Sequence, residues 1–563
     1  MRKYLLILTL VGFLLYLPSL TGPFLWDDED FVYANEYVRD FRIDKFFTDS
    51  QTAGRGKLSN YYRPLPQIAY ASVHAIFGFN PFWYHLLNVL AHITAACAIL
   101  SFFYVLLNSK FEYRNPKQIK NSNDQNSKRL EHLKFENSKI VSDFGFRASD
   151  LIAHYPLLIA LLFLVHPVQT EAVSYISGLS DPLFVLFGFL SLIFYLLKNE
   201  RKNMIPLSLF FFTLSLLSKE TGAVFLPILI TLAALDELIK QNLSDRIGIV
   251  KLINWKNINA LTKSVGPYAM ATLVYLWYHF SFINSLDIKS AWGNNPYANS
   301  LLVRLLTFIQ NFPAYIGLLI FPKDLFMERD YTVQIQTQAL NLHLIGLIIL
   351  IGLVGLFLWR LHQKLLPPPS SLLTFCFTGF FISFLPYTGL VLINGIFYEH
   401  FLYLPLVFFF AFWIILISSL NRPTFLTPLI TLIMFLFILR NLSRQLDWTD
   451  SVRFYSQTLK HAPNSIRIIN GLGMAYAEKG DLDSAIREYS LLISVNPHVP
   501  HAYHNLANAY AAKGDLANAE KNYLKALEVD PNFFYSLQSL ANLYQQTGQK
   551  EKLHNLLLRF NVQ

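Results

Sequence analysis

The chain's 563 residues are 53% hydrophobic and only 15% charged, with 49 Phe, whereas soluble domains run nearer a quarter charged. This excludes a single water-soluble globule, and because charge returns to ordinary levels after about Asp447, two domains in different solvents are expected. The formal net charge of +9 sits in loops between apolar runs, which reflects orientation in a membrane rather than nucleic-acid binding.

Apolar runs long enough to cross about 30 Å of hydrocarbon recur near 4–20, 84–107, 152–166, 182–197, 204–218, 221–239, 265–283, 343–359, 371–393, 401–419 and 424–440. The first follows Arg2 and Lys3, and with no small-residue cleavage site after it, it reads as a retained helix. The polar stretch 109–150 holds nine Lys/Arg against six Asp/Glu and reads as a disordered cytoplasmic insertion. The turn Lys198–Lys202, the loop around Lys240–Lys263 and Arg360–Lys364 are also basic, and placing all four in the cytoplasm alternates with the spans. The apolar segment 301–321 breaks that parity, so a re-entrant or interfacial helix is expected there. With this orientation Trp26–Asp30, His166–Glu171, Asp181, Lys219–Glu220, Arg329–Asp330, Glu399–His400 and the C-terminal domain fall on the extracytoplasmic face.

The motifs follow in chain order. Trp26-Asp27-Asp28-Glu29-Asp30 puts four acids directly after a membrane helix. Adjacent like charges are costly unless solvated or paired, so the run reads as a general base, as metal ligands or as a solvated loop. Tyr61-Tyr62-Arg63-Pro64 comes next, then a helix with His85, Asn88 and His92 on one face, a pattern that suits interhelix hydrogen bonding. His166-Pro167-Val168-Gln169-Thr170-Glu171, Ser218-Lys219-Glu220-Thr221-Gly222 and Tyr398-Glu399-His400 each deliver charge to the end of an apolar helix. Snorkelling of Lys219 and salt bridges for the acids are the plainer readings. The two cysteines, Cys97 and Cys376, lie in apolar runs and suggest neither a disulfide framework nor a metal site. Sequons stand at Asn242 and Asn441.

After Pro463 a 34-residue period appears. Leu472, Leu506 and Leu540 are in register, as are Tyr476, Tyr510 and Tyr544, and Gly480, Gly514 and Gly548. Pro463, Pro497 and Pro531 close the units. This is the tetratricopeptide (TPR) pattern of paired antiparallel helices, whose concave groove takes peptides or partner proteins. The expected organisation is all-α. A transmembrane domain spans 1–440, and the insertion 109–150 lies within it. A linker and half-repeat helix occupy 441–463, and a TPR α-solenoid fills 464–563 in units 464–497, 498–531 and 532–563.

Trp-Asp-Asp with Asn35 downstream, Tyr-Arg-Pro, His-Pro-x-x-x-Glu, Ser-Lys-Glu-x-Gly, Glu-x-x-Leu-Tyr-Leu-Pro and terminal TPRs recur here in that order. Together they resemble the transmembrane and TPR repeat-containing protein O-mannosyltransferases and their prokaryotic relatives, of the GT-C glycosyltransferases. The resemblance implies a GT-C-like bundle of about 11 spans plus the segment 301–321, a polyprenyl-phosphate-linked sugar as donor, and a catalytic acid in the first external loop, here Asp27 or Asp28. Two arginines expected from that resemblance are replaced, by Leu179 in Gly178-Leu179-Ser180-Asp181 and by His400 after Glu399.

Transfer from a lipid phosphate needs a carboxylate to take the acceptor's hydroxyl proton and positive charge for the departing phosphate. Asp27 or Asp28 is assigned as the base. Lys219, Arg63 and His400 are phosphate-side candidates, with His400 carrying full charge only below its pKa of about 6.5 unless that is shifted, and a divalent metal is a further option. His166, Glu171, Asp181, Glu220 and Glu399 are supporting residues. The acceptor is a hydroxyl, with protein Ser/Thr expected and the TPR groove recruiting the acceptor or a partner. The rivals are a glycosyltransferase with a lipid or oligosaccharide acceptor, a non-catalytic membrane-anchored TPR scaffold, and a transporter. Charges at the outer boundary rather than the midplane argue against the last of these.

Overall fold

The computed structural model describes residues 1–49, 61–110, 148–240, 255–283, 295–337, 369–419 and 423–560, with single residues at 346 and 352. The expected span 343–359, the basic stretch Arg360–Lys364, residues 111–147 of the insertion and the sequon at Asn242 lie outside them. Among the described residues every regular element is helical. The chain divides into two compact units, Met1–Lys323 with Gln334–Gln445, and Asp324–Val333 with Leu446–Gln563.

In the first unit four helices are long and apolar enough to cross a membrane: Pro81–Leu107, Ile176–Leu196, Leu301–Ile320 and Pro428–Trp448, the last running on to the unit boundary. A fifth candidate is a bent pair, His154–Val165 and Pro167–Ser174, meeting at 53°. The eleven expected spans are therefore corrected to four or five among the described residues. Several apolar runs are too short as helices. The first ends at Leu15, and a 3-10 turn takes over at Leu17–Thr21, where Pro18 falls. The run 371–393 stops as an α-helix at Ser383, and the run beginning at 221 spends its first residues in the 3-10 segment Glu220–Val224. Segment 301–321 is a continuous 20-residue helix, Leu301–Ile320, rather than a re-entrant bend.

Ser180–Leu196 and Met204–Ser218 form an antiparallel hairpin. Ser208 Oγ donates to Ser191 O at 2.7 Å, Ser215 Oγ to Phe184 O at 2.8 Å, and Lys219 meets Asp181. Small hydroxyl residues let the two backbones approach and leave no buried polar atom unpaired along the seam. The helices are roughly 22–25 Å long at about 1.5 Å per residue. The basic turn Lys198–Lys202 is therefore at one end of the hairpin and Asp181 and Lys219 at the other. His85, Asn88 and His92 do tie helices together. His85 Nε2 bonds Gly22 O, Asn88 Nδ2 donates to the carbonyls of Tyr175 and Ile176, and His92 bridges Tyr403 Oη and Leu164 O.

The stretch 22–49 folds back onto the bundle. Val32, Val38 and Phe46 pack with Tyr70, Ala71, Tyr84, Ala91, Ile176 and Leu179 in one buried cluster. Asn35 caps the short helix Glu36–Arg39 and also bonds Gln67 Oε1, which pins the loop to the helix Pro64–Phe77.

The second unit is a run of helix pairs: Ile466–Glu478 with Leu482–Val495, Pro500–Ala512 with Leu516–Val529, and Phe534–Gln546 with Lys550–Arg559. Gly480, Gly514 and Gly548 hold the turns within the pairs at φ +80°, +85° and +70°, a left-handed conformation open to glycine at little cost. Asp481 and Asp515 cap the second helices. The segment Asp324–Val333 belongs to this unit. Phe326 stacks on His461 at 4.2 Å, and Glu328 accepts from the Ser465 hydroxyl.

Candidate active site

The charged residues of the first unit gather where its helices end. Helix Ala148–Val165 breaks at His166 because Pro167 forces the residue before it into an extended conformation, here with ψ 129°. His166 Nδ1 then accepts from Val168 N, and Nε2 lies 3.2 Å from Leu319 O. Both nitrogens are spent on backbone, so His166 builds the break and does not reach the acids. The break turns the chain into Thr170–Ser174, which carries Glu171, and Ile176–Leu179 follows at the entrance to helix Ser180–Leu196 with its Asp181.

Asp28 is buried. Its Oδ2 accepts from Leu25 N at 2.9 Å, and its Oδ1 from Ser177 N at 2.8 Å and Ser177 Oγ at 2.6 Å. Burial pushes its carboxyl up to about 7; the three donors oppose that rise and neighbouring Asp27 adds to it. Asp27 is only partly buried, and its backbone N donates to Tyr175 Oη at 3.2 Å. Ser177 had no sequence signal, since nothing in Ile-Ser-Gly-Leu marks a carboxylate clamp.

Three acid–base pairs complete the cluster. Arg63 donates from Nε and Nη2 to the two oxygens of Glu220 at 2.9 and 2.6 Å, with its guanidinium 4.3 Å from the Tyr61 ring centre. Lys219 Nζ donates to both oxygens of Asp181 at 2.7 and 2.9 Å, and both side chains are buried. His400 Nδ1 lies 2.6 Å from Glu171 Oε1, and the other oxygen of Glu171 accepts from Glu399 N at 3.0 Å. Glu220 thus holds Arg63 rather than the adjacent Lys219, and Lys219 is held by Asp181.

Burial would raise the Glu220 carboxyl, but Arg63 overrides it and brings the group down to about 2. Burial and the neighbouring Arg63 lower Lys219, with Asp181 opposing. His400 is pushed down to about 3, first by burial and then by Lys219 and Arg63, against the pull of Asp181 and Glu399. That shift favours the neutral imidazole at physiological pH. Its Nδ1 carries the hydrogen toward Glu171, and Nε2 is left with its lone pair. The same electrostatic influences link the groups into one site: Tyr61 feels Asp27, Arg63 and Glu220, and Tyr387 feels Asp181, Glu220 and Arg63. Arg329 belongs to the second unit, where it lies over Phe326 at 4.3 Å.

Among the described residues no group of three or more His, Cys, Asp or Glu could hold a metal ion. Asn441 of the second sequon is buried, with its amide donating to Tyr16 Oη and Val165 O.

Tetratricopeptide repeat family models match residues 500–533 and 522–554, and a TPR repeat model matches 473–514. A protein O-mannosyl-transferase of Caenorhabditis elegans is 25% identical over 495 residues, covering 85% of this chain and 60% of that protein. Protein O-mannosyl-transferase TMTC4 of Homo sapiens is 24% identical over 518 residues, covering 84% and 64%. Protein O-mannosyl-transferase TMTC2 of Homo sapiens is 27% identical over a shorter 198 residues, 34% of this chain and 18% of the relative. The chain thus spans 60% of the length of the Caenorhabditis elegans relative and 64% of that of human TMTC4. Its apolar helices and these similarities fit a membrane protein. With a quarter of its residues shared over most of its length and TPR repeats at its C-terminus, the chain is a distant relative of the transmembrane and TPR repeat-containing protein O-mannosyltransferases.

Proposed function

We propose that this protein is a multi-pass membrane glycosyltransferase that moves a sugar from a polyprenyl-phosphate carrier to a Ser or Thr hydroxyl of a protein on the extracytoplasmic face. The observation that carries this reading is the convergence of a partly exposed acid, Asp27, and a clamped cation, Arg63, around Tyr61, in a chain whose relatives are named protein O-mannosyl-transferases. Asp27 is the base. It takes the hydroxyl proton, the freed oxygen bonds to the anomeric carbon, and the bond from that carbon to the phosphate oxygen breaks. The phosphate departs with the electron pair and needs no separate acid. Asp28, sealed by Leu25 and Ser177, positions Asp27.

Arg63 is the principal phosphate cation. It is partly exposed, with a side-chain accessibility of 21% against 4% for Lys219, and its Glu220 contacts use two of five N–H donors. Lys219 contributes field from behind, because its ammonium is occupied by Asp181. The TPR array recruits the acceptor protein. The test is mannose transfer from polyprenyl-phosphate mannose to a Ser/Thr-rich peptide by the full chain in lipid nanodiscs. Asp27→Asn should cost about 100-fold or more in kcat with unchanged thermal stability. Near-normal transfer by Asp27→Asn would remove the base assignment, and absence of transfer by the natural protein would remove the reading.

A further inference from the structure

The imidazole of His400 is fixed on three sides. Its Nδ1 is 2.6 Å from Glu171 Oε1, its face stacks on Tyr398 with ring centres 5.2 Å apart and planes at 21°, and Phe401 meets it edge-on at 4.9 Å and 84°. Glu171 is itself immobilised, buried and bonded at its second oxygen to Glu399 N. A carboxylate at Nδ1 fixes the tautomer with the hydrogen on that nitrogen, so Nε2 is a bare acceptor. Among the described residues the His400 side chain has a single hydrogen bond, the one at Nδ1, and it is 24% exposed. Lys219, Arg63 and Asp181 lie within electrostatic reach of it. The site otherwise presents cations to a phosphate, and a neutral nitrogen acceptor among them is unsuited to phosphate oxygens, which are acceptors too.

We infer that the Glu171–His400 pair is a hydroxyl-binding subsite, in which Nε2 accepts a hydrogen bond from a substrate hydroxyl and so sets the substrate's orientation against Asp27 and Arg63. The hydroxyl belongs either to the sugar of the donor or to the acceptor side chain. This rests on the transfer reaction proposed above. No proton changes hands at His400, so it is a positioning residue for the transfer.

Three variants test it in the same nanodisc assay with polyprenyl-phosphate mannose and a Ser/Thr-rich peptide. His400→Asn keeps an amide N–H near Nδ1 for Glu171 and removes the acceptor at Nε2. It should lose about tenfold in kcat/KM, with the rise in KM falling on the donor if the hydroxyl is the sugar's and on the peptide if it is the acceptor's. His400→Gln extends an amide oxygen to the Nε2 position and should stay within about threefold of the natural protein. Glu171→Gln keeps the size, but Glu399 N–H claims its single oxygen, so its NH2 faces Nδ1 and drives the hydrogen to Nε2. The acceptor is then lost, and the effect of Glu171→Gln should not add to that of His400→Asn. An active natural protein with unchanged kinetics in His400→Asn would overturn the inference and leave the transfer reading standing. Equal losses in His400→Asn and His400→Gln would overturn it too, by showing that the ring only packs. No transfer by the natural protein would overturn the underlying reading instead.

Discussion

Each acid in the cluster carries a different electrostatic burden, and the partners decide which. Glu220 and Asp28 are both enclosed, yet Arg63 pulls the first down to about 2 while burial carries the second up to about 7. The linkage to stability has opposite signs. Glu220, lowered in the folded state, contributes stability above its unfolded value, and that stability disappears only as pH falls through about 2. Asp28, raised in the folded state, contributes stability that is complete below its unfolded value near 3.8 and is lost as pH rises through about 7. Between about pH 5.5 and 7 only Asp28 of this pair tilts the curve, by up to about 1.4 kcal/mol per pH unit. Asp28→Asn should therefore flatten the fall in thermal stability across that window relative to the natural protein, whatever its offset. Thermal unfolding in detergent at several pH values reads the slope, and parallel slopes in the two proteins would mean that Asp28 is not held protonated by its surroundings. The sequence makes these residues visible as charges at the ends of apolar runs. It does not show their partners, because Arg63 and Glu220 are 157 positions apart and Glu171 and His400 are 229 apart. The extended backbone at Lys219, φ −159° and ψ 140°, lies between the helix ending at Ser218 and the 3-10 segment beginning at Glu220, and the two neighbouring side chains find different partners.

At the scale of elements, the site depends on short irregular segments between helices, and one glycine shows how tightly they are set. A Cβ on Gly178 would stand 2.7 Å from Ala172 O and 3.1 Å from its carbonyl carbon. The contact is backbone on backbone, so neither side can swing away. Gly178→Ala should push the turn Ile176–Leu179 off the helix Thr170–Ser174 and draw Ser177 away from Asp28. We expect a loss of about 1–3 kcal/mol of stability together with reduced transfer. Gly266→Ala in helix Trp255–Tyr278, where nothing lies within 4 Å of an added Cβ, should be neutral or stabilising by up to about 1 kcal/mol. Equal behaviour of the two variants in thermal unfolding would show that the turn has slack. These segments are also where sequence reading fails and succeeds most clearly. The TPR helices were legible because the residues of the 34-residue period recur at many positions with the left-handed glycines. Hydropathy overcounted the spans because it sums apolar residues without registering Pro18, or the 3-10 segment at Glu220 that shortens its helix.

For the whole molecule, sidedness follows from one antiparallel pair. Ser180–Leu196 and Met204–Ser218 place Asp181 and Lys219 together at one end and Lys198, Arg201 and Lys202 at the other. At about 1.5 Å per residue the two ends are separated by roughly 22–25 Å, somewhat less than the roughly 30 Å of a bilayer's hydrocarbon core. In the proposed orientation the basic turn lies in the cytoplasm, and the acid–cation cluster then faces the opposite compartment, as does the loop of Asp27 and Asp28 that Ser177 holds beside it. Single cysteines placed in a background with Cys97 and Cys376 changed to Ala test this. Lys202→Cys, exposed in the turn, should react with a membrane-impermeant thiol reagent only from the cytoplasmic side. Asp40→Cys, in the first external loop and with a side chain 61% exposed in the natural protein, should react only from the other side. Because Asp28 and Asp181 are linked through a few residues of buried backbone, the pair of labels fixes the face of the whole cluster. Reaction of both positions from one side would mean that the hairpin does not cross the bilayer, and the extracytoplasmic site would fall with it.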